Sequence, residues 1–224
     1  LTFSASVDGN ALVSVDGTSL TVVPDLNYSG DIAVTVVVSD GEYSDSDTFI
    51  LTVNNLNDAP TVNAIANETI FEDEGFEMAV SGNDVDLDDV ISFSASVDGN
   101  ASASVDGTAL TVVPDLNYSG SIEVTVTATD IAGETGQASF TLSVLAVNDA
   151  PVVDAIDDQE TDEDQAFEIA LSASDVDGDD LSFSASVDGN ALVSVDGTTL
   201  SVVPDLNYSG DIAVTVVVSD GEYS

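Results

Sequence analysis

Two equivalent segments of the sequence alternate aspartate with other residues. Residues 175–180 read DVDGDD, and residues 84–89 read DVDLDD. Alternating carboxylates in a loop can turn several oxygens toward one hard cation, and calcium prefers about six to eight oxygen ligands. The spacing differs from that of an EF-hand, because Ser186 holds the twelfth position, where that loop needs a bidentate glutamate. The pattern therefore predicts calcium loops of another kind.

The charge of the chain also points to metal ions. Its 224 residues include 43 aspartates and glutamates and no lysine, arginine, histidine or cysteine. Two carboxylates about 5 Å apart repel by roughly 3 kcal/mol at an effective dielectric of about 20, so clustered acids need cations from solution. The same charge excludes nucleic acid and anionic membrane surfaces as electrostatic partners. With no apolar run of membrane-spanning length, direct membrane insertion is not expected either.

The elements that hold these loops belong to a repeat. The sequence FSASVDGN begins at Phe3, Phe93 and Phe183, so its copies are about 90 residues apart, the size of a small β-sandwich. A second pattern, NDAP, occurs at residues 57–60 and 148–151 and follows a strand-like apolar run each time. Proline cannot donate to a strand ladder and keeps the preceding residue extended. The two NDAP segments are therefore predicted to be joints between domains.

Three domains follow from these joints. Residues 1–59 form a partial repeat, residues 60–150 a complete one, and residues 151–224 a repeat that lacks its last strand. Residues 1–44 and 181–224 differ at three positions, so the sequence begins and ends inside a repeat. Two interpretations compete: a window on a longer array, or separate chains that complete one another by strand addition into a filament. Duplicated ends favour the window, since strand exchange needs complementary halves.

The complete repeat predicts an all-β fold. Short strands separated by turns about every eight to twelve residues are typical of an immunoglobulin-like sandwich. The fourth and fifth strands flank Asp106-Gly107, a dipeptide that favours hairpins because it accepts positive φ. Whether the fourth strand joins the sheet of the third or crosses to the other sheet is open. The predicted strands are 61–65 with 69–71 as a split first strand, 75–80, 91–97, 101–105, 108–113, 121–129 and the strand that contains Phe140.

A seven-residue motif, PDLNYSG, connects the fifth and sixth strands and recurs at residues 24–30 and 204–210. Tyr118, in the middle copy, is predicted to be a corner tyrosine that buries its ring and bonds its hydroxyl to the backbone. The same motif contains a glycosylation sequon, whose asparagines are Asn27, Asn117 and Asn207. The turn interpretation is favoured, because asparagine is common in turns for backbone reasons.

Sandwich topology predicts that separate acids meet at the joints. The loops after the second and sixth strands lie where a domain begins, and the loops after the first and fifth strands lie where the chain leaves it. The competing interpretation is a solvated acidic surface, and it is preferred for the Asp-Gly turns at Asp8, Asp16, Asp98 and Asp106. The predicted ligands at the second joint are Glu72, Asp73, Glu74, Asp115, Asn148, Asp149, Asp175, Asp177, Asp179 and Asp220. Those at the first joint are Asp25, Asn57, Asp58, Asp84, Asp86, Asp88 and Asp130.

Five motifs together resemble the tandem cadherin-like repeats of giant bacterial surface adhesins. They are the NDAP joints, Glu-Asp near the first strand crossing, Asp-x-Asp-Gly-Asp, Pro-x-x-Asn-Tyr-x-Gly, and Ser-Asp-Gly after the sixth strand, and they span the whole chain. The resemblance implies that calcium at the joints stiffens a rod, which holds a binding tip away from the cell. It also implies metal ligands at Asn148, Asp149, Asp175, Asp177, Glu163 and Asp220.

The sequence departs from this family at two places, both near the first joint. Leu87 stands where the family favours glycine, and Thr129-Asp130-Ile131 breaks the Ser-Asp-Gly pattern. The first joint is therefore expected to hold fewer calcium ions than the second.

The sequence predicts non-enzymatic, calcium-stiffened extender repeats of a secreted or cell-surface bacterial adhesin, serving adhesion or biofilm formation. The alternatives are a structural subunit of an extracellular filament and a carbohydrate-binding module. Catalysis is disfavoured because the same acids recur in every repeat. Sugar binding is disfavoured because tryptophan is absent and the strand phenylalanines, Phe3, Phe49, Phe93 and Phe140, fall on predicted buried phases. The expected partners are neighbouring repeats of the same or another chain, with any polysaccharide or cell-surface ligand bound elsewhere in the full protein.

Overall fold

The computed structural model describes residues 1–86 and 90–224, and every regular element within these ranges is a β-strand. Across the same two ranges, no helix is long and apolar enough to cross a membrane. The chain divides into two compact units. The first unit contains Leu1–Asp115 and Gly120–Val144, and the second contains Leu116–Ser119 and Leu145–Ser224. The three-domain division of the sequence stays a prediction.

Residues 1–59 contribute five strands to the first unit. Three of them form one antiparallel sheet in the order β1-β4-β5, and the other two form the hairpin β2-β3. The strands are β1 (Thr2–Val7), β2 (Ala11–Asp16), β3 (Ser19–Pro24), β4 (Gly30–Ser39) and β5 (Ser44–Val53).

The middle repeat forms the two layers of a sandwich. One sheet has the order β10-β13-β14-β7, the other has the order β11-β12-β8, and a small two-stranded sheet pairs β6 with β9. The strands are β6 (Thr61–Val62), β7 (Glu68–Phe71), β8 (Phe76–Ala79), β9 (Gly82–Asn83), β10 (Ser92–Val97), β11 (Ala101–Asp106), β12 (Ala109–Pro114), β13 (Gly120–Thr129) and β14 (Thr135–Leu145).

The second unit repeats this plan. Its sheets are β16-β20-β19, β18-β21 and the short pair β15-β17. The strands are β15 (Val152–Val153), β16 (Phe167–Ala170), β17 (Ala173–Ser174), β18 (Ser182–Val187), β19 (Ala191–Asp196), β20 (Thr199–Pro204) and β21 (Val214–Ser219).

The core of the middle repeat comes from the alternation of apolar residues along its strands. On β13, Ile122 and Val124 are fully buried, while Glu123 between them faces outward. Across the core, the rings of Phe76 and Phe140 lie 5.9 Å apart, centroid to centroid. This period-two burial is what a sheet with one wet face requires.

The fourth strand of the middle repeat crosses to the other sheet, which answers the question left open by the sequence. β11 pairs with β12, whereas β10 pairs with β13. The two Asp-Gly turns therefore differ: Asp106-Gly107 closes a hairpin, and Gly99 with Asn100, both at positive φ, carries the chain between sheets. The predicted split of the first strand is also present, because β6 pairs with β9 while β7 lies beside β14.

The burial predicted for two phenylalanines is wrong. Phe140 is 3% exposed and Phe93 is half-buried, but Phe3 is 38% exposed and Phe49 is 45% exposed. In the middle repeat the early strands cover this region, since a Cβ on Gly82 would lie 3.3 Å from the Phe93 ring. Strands β1–β5 leave Phe3 and Phe49 without such a cover.

Two glycines of the middle repeat should respond differently to alanine. A Cβ on Gly136, in β14, would collide with the carbonyl oxygen of Pro60, whereas one on Gly75 would meet no atom within 4 Å. Because the obstacle is backbone, we expect Gly136→Ala to destabilise the repeat by about 1–3 kcal/mol. Chemical denaturation of Gly136→Ala beside the control Gly75→Ala measures this. Equal free energies of unfolding would contradict the close packing of Pro60 on β14.

The PDLNYSG motif forms a tyrosine corner in the outer repeats. The hydroxyl of Tyr28 donates to the Asp31 carbonyl at 2.9 Å, and that of Tyr208 donates to the Asp211 carbonyl at 3.0 Å. In the second unit the hydroxyl lies so close to Gly210 that a Cβ there would come within 2.9 Å of it. The backbone hydrogen bond predicted for Tyr118 thus occurs in both outer copies, although their tyrosines are half-buried and not fully buried as predicted. The motif asparagines adopt left-handed backbone, as a turn requires: φ is 58° at Asn27, 56° at Asn117 and 56° at Asn207.

Candidate metal centre

The aspartate loop of the second unit follows β17 and folds around one carboxylate. Asp175 Oδ1 accepts hydrogen bonds from the backbone N–H groups of Asp177 at 2.9 Å, Gly178 at 3.0 Å and Asp179 at 3.3 Å. The glycine has a φ of 77°, which lets the chain turn back on itself. Asp175, Asp177 and Asp179 consequently bring carboxylate oxygens within 4.8 Å of one another.

The second oxygen of the central carboxylate is buried without a protein partner. Within the part of the chain that the structure describes, Asp175 Oδ2 is closed off from solvent and receives no hydrogen bond, and the equivalent Asp84 Oδ2 is in the same position. Burying an anionic oxygen without a donor is costly. Since the chain has no basic side chain, a cation is the group that fits this position. The all-oxygen donor set suits calcium.

The second joint forms hydrogen bonds with acids of the repeat that follows it. Asn148 Nδ2 donates to Asp220 Oδ2 at 2.8 Å, and the backbone N–H of Asp149 donates to Asp177 Oδ2 at 2.7 Å. The other oxygen of Asp220 accepts from the N–H groups of Glu222 at 2.7 Å and Tyr223 at 2.6 Å. The joint, the aspartate loop and the loop after β21 therefore meet at one place in the second unit.

The first joint repeats the same contacts within the first unit. Asn57 Nδ2 donates to Asp130 Oδ2 at 2.8 Å, and the N–H of Asp58 donates to Asp86 Oδ2 at 2.7 Å. The N–H of Asp86 donates to Asp84 Oδ1 at 2.9 Å. Asp130 is only 6% exposed, and its Oδ1 accepts hydrogen bonds from two backbone N–H groups of its own loop. The missing Ser-Asp-Gly pattern at this loop leaves these contacts in place.

The asparagines and loop amides set the acidity of the cluster. The side-chain amide of Asn148 is the main group that holds the pKa of Asp220 below its ordinary value, and Asn57 does the same for Asp130. Desolvation, followed by the charges of neighbouring aspartates, raises the pKa of Asp179 although its side chain is exposed. A bound cation would lower the pKa of Asp179, because it favours the charged form of a carboxylate.

Removing the side chain of Asn148 should raise the pKa of Asp220. A depressed pKa contributes stability above the ordinary value of an aspartate, about 3.9, and this contribution is lost as the pH falls through the folded-state pKa. In Asn148→Ala this contribution should be smaller, and its loss should be complete at a higher pH. Carboxyl ¹³C NMR titration in chelator measures the shift. Asp40 is the internal control, because the backbone N–H of Tyr43 is the first cause of its lowered pKa, and it should titrate unchanged.

The structure places the predicted site residues in three ways. In the second unit it brings together Asn148, Asp149, Asp175, Asp177, Asp179 and Asp220. In the first unit it joins Asn57 with Asp130 and Asp58 with Asp86 and Asp84. Asp88 lies outside the described residues, as does Leu87. The metal roles of the remaining residues stay predictions: Glu72, which is 6% exposed, Asp73, Glu74, Asp115, Asp25 and Glu163.

One residue that the sequence did not single out connects two loops of the second unit. Asp164, at a φ of 62°, accepts a hydrogen bond from the N–H of Asn207 at 2.8 Å. It therefore ties the turn before β16 to the PDLNYSG motif. Its position directly after Glu163, matching Asp73 after Glu72, was the signal available in the sequence.

Comparisons with known proteins agree with this architecture. The family model described as Bacterial Ig domain matches residues 57–143 and 148–224. No curated protein is detectably similar to the chain in sequence. The predicted fold, an all-β series of tandem immunoglobulin-like and cadherin-like domains, is confirmed by this match together with the solved structures it resembles.

Those solved structures are cadherin ectodomain repeats. Human CDH23 EC21-23 aligns with a TM-score of 0.51 at 14% identity, covering 96% of this chain and 88% of its own. PcdhgB3 EC1-4 aligns with a TM-score of 0.50 at 15% identity, covering 97% of this chain, and the chain spans 62% of its length. At such low identity the likeness concerns the fold alone.

Proposed function

Since this chain belongs to the bacterial Ig domain family, we propose that it is a run of calcium-stiffened extender repeats in a secreted or cell-surface bacterial adhesin. Repeats of this kind are typically extracellular, and their cadherin-like fold suits a spacer or adhesive role. Neighbouring repeats are the partners of the joints. A polysaccharide or another cell surface is the ligand class that such a protein would bind elsewhere along its length.

One observation carries the proposal: the same contacts between joint and acidic loop occur in both units, each around a buried carboxylate oxygen that lacks a donor. In the second unit the residues that would hold calcium are Asp175, Asp177 and Asp179. In the first unit Asp84 and Asp86 occupy the equivalent sequence positions. Calcium supplies the positive charge that no side chain of this protein can supply. Its loss would leave the like charges of each joint uncompensated.

The proposed role is structural and involves no catalysis. A carboxylate pair could in principle cleave glycosides, but the acids at the joints recur from repeat to repeat and are engaged by backbone and asparagine donors. The chain contains no histidine, cysteine or lysine to act as a nucleophile or base. Recurring, internally bonded acids fit a metal clamp better than a reactive site.

The test of stiffening is a measurement of shape. Small-angle X-ray scattering of the full chain is compared in chelator and in millimolar calcium, at matched ionic strength. We expect calcium to increase the maximum dimension and to narrow the distribution of conformations. The double variant Asp175→Ala, Asp177→Ala should lose part of this response, while Asp188→Ala with Asp196→Ala, which removes the same charge from turns, should keep it. An unchanged maximum dimension in the parent chain would sink the proposal.

A further inference from the structure

We propose that each NDAP segment, residues 57–60 and 148–151, is fastened to the repeat that follows it by direct protein contacts. Loss of metal would then free the chain before Asn57 and would leave the segments themselves in place. The consequence for metal loss rests on the proposed function. The fastening does not, because its hydrogen bonds and packing contacts are made within the protein.

Hydrogen-bond donors carry the fastening at the asparagine and aspartate of each segment. The donors are Asn57 Nδ2 and the Asp58 N–H at the first joint, at 2.8 Å and 2.7 Å from their acceptors, and Asn148 Nδ2 and the Asp149 N–H at the second joint, at the same two distances. An N–H group cannot coordinate a metal ion, so these bonds form without one. All four acceptors are carboxylate oxygens, and bonds to ionised acceptors are stronger than neutral ones.

The proline end of each segment is fastened by packing and strand pairing. Pro60 is fully buried, and its carbonyl approaches Gly136 of β14 so closely that a Cβ there would collide with it. The chain then enters β6, which pairs with β9 in the same repeat. Pro151 is half-buried and leads into β15, which pairs with β17. Each segment is therefore held at both ends by its following repeat.

The residues before the first segment lack comparable anchorage. β5 ends at Val53, and residues 54–56 form no strand and are exposed. Leu56 is 84% exposed although it is a large apolar side chain. Local opening is easiest where buried contacts are few. Freedom gained on metal loss should accordingly begin at 54–56 and stop at Asn57.

Amide hydrogen exchange of the full chain, followed by NMR in chelator and in calcium, tests this. The Asp58 and Asp149 amides should be protected at least roughly tenfold over unstructured amides in both conditions. The amides of residues 54–56 should be fast in chelator and slow in calcium. Asp177→Ala removes the acceptor of the Asp149 N–H, so that amide should exchange roughly tenfold faster in chelator, while Asp58 serves as the unchanged control.

The outcomes separate the two proposals. If Asp58 and Asp149 exchange in chelator as fast as residues 54–56, the segments are not fastened and the inference is overturned. If they stay protected while calcium alters the exchange of no amide, the fastening stands and the proposed calcium function fails.

Discussion

Calcium is expected to raise the melting temperature of this protein by roughly 10 °C or more over its value in chelator. A ligand that binds only the folded state adds about 2.7 kcal/mol per site at a hundred times its Kd, and about 1 kcal/mol moves the midpoint of a domain of about 80 residues by roughly 4–8 °C. The expected effect is large because the clustered acids have no basic side chain to oppose them. Thermal unfolding followed by circular dichroism, in chelator and in millimolar calcium, measures it.

Sodium chloride at matched ionic strength is the necessary control. Screening by salt weakens repulsion among all 43 acids, whereas a site acts only when its own ion is present. Calcium should therefore raise the melting temperature far more than sodium does. Equal midpoints in the two salts would assign the joint acids to a solvated acidic surface, which is the competing interpretation of the sequence.

The repeat and its strands could be predicted because they depend on local patterns. The alternation along β13 and the split of the first strand into β6 and β7 are both legible in the sequence and both present in the structure. The sheet that β11 joins could not be predicted. Two Asp-Gly steps of the same chemistry lead to different connections, and the difference lies in the long-range pairing of β10 with β13 and of β11 with β12.

The acids of the candidate site could be predicted from the sequence, but the hydrogen bonds among them could not. Spacing placed Asp175, Asp177 and Asp179 on one loop, and the structure gathers their oxygens. Asn57 and Asn148 were taken as oxygen ligands, yet what the structure records for them is donation by their Nδ2 atoms to Asp130 and Asp220. An amide offers a donor and an acceptor on the same carbon, so composition alone cannot say which of them the fold employs.

The substitution Asp175→Asn should leave the melting temperature unchanged or higher in chelator, and should lower it in calcium. The asparagine keeps an oxygen in place of Oδ1, which accepts the three backbone N–H groups of the loop. It removes the buried, unpartnered Oδ2 and its charge, so in chelator the melting temperature of the variant should equal or exceed that of the parent. In calcium the variant should lose most of the metal stabilisation of the second unit, about 2.7 kcal/mol at a hundred times the parent's Kd, because an amide nitrogen does not ligate calcium.

The matched control for this inversion is Asp196→Asn, in the exposed Asp-Gly turn that joins β19 to β20. It changes the net charge by the same amount and preserves a turn that asparagine forms readily. Its melting temperature should follow that of the parent in both conditions. If Asp175→Asn instead lowers the midpoint equally with and without calcium, the carboxylate serves only to shape the loop. If Asp175 is a metal ligand, the difference in melting temperature between the variant and the parent must depend on whether calcium is present. The reason is that a buried carboxylate stabilises the fold when its cation is bound and destabilises it when the cation is absent.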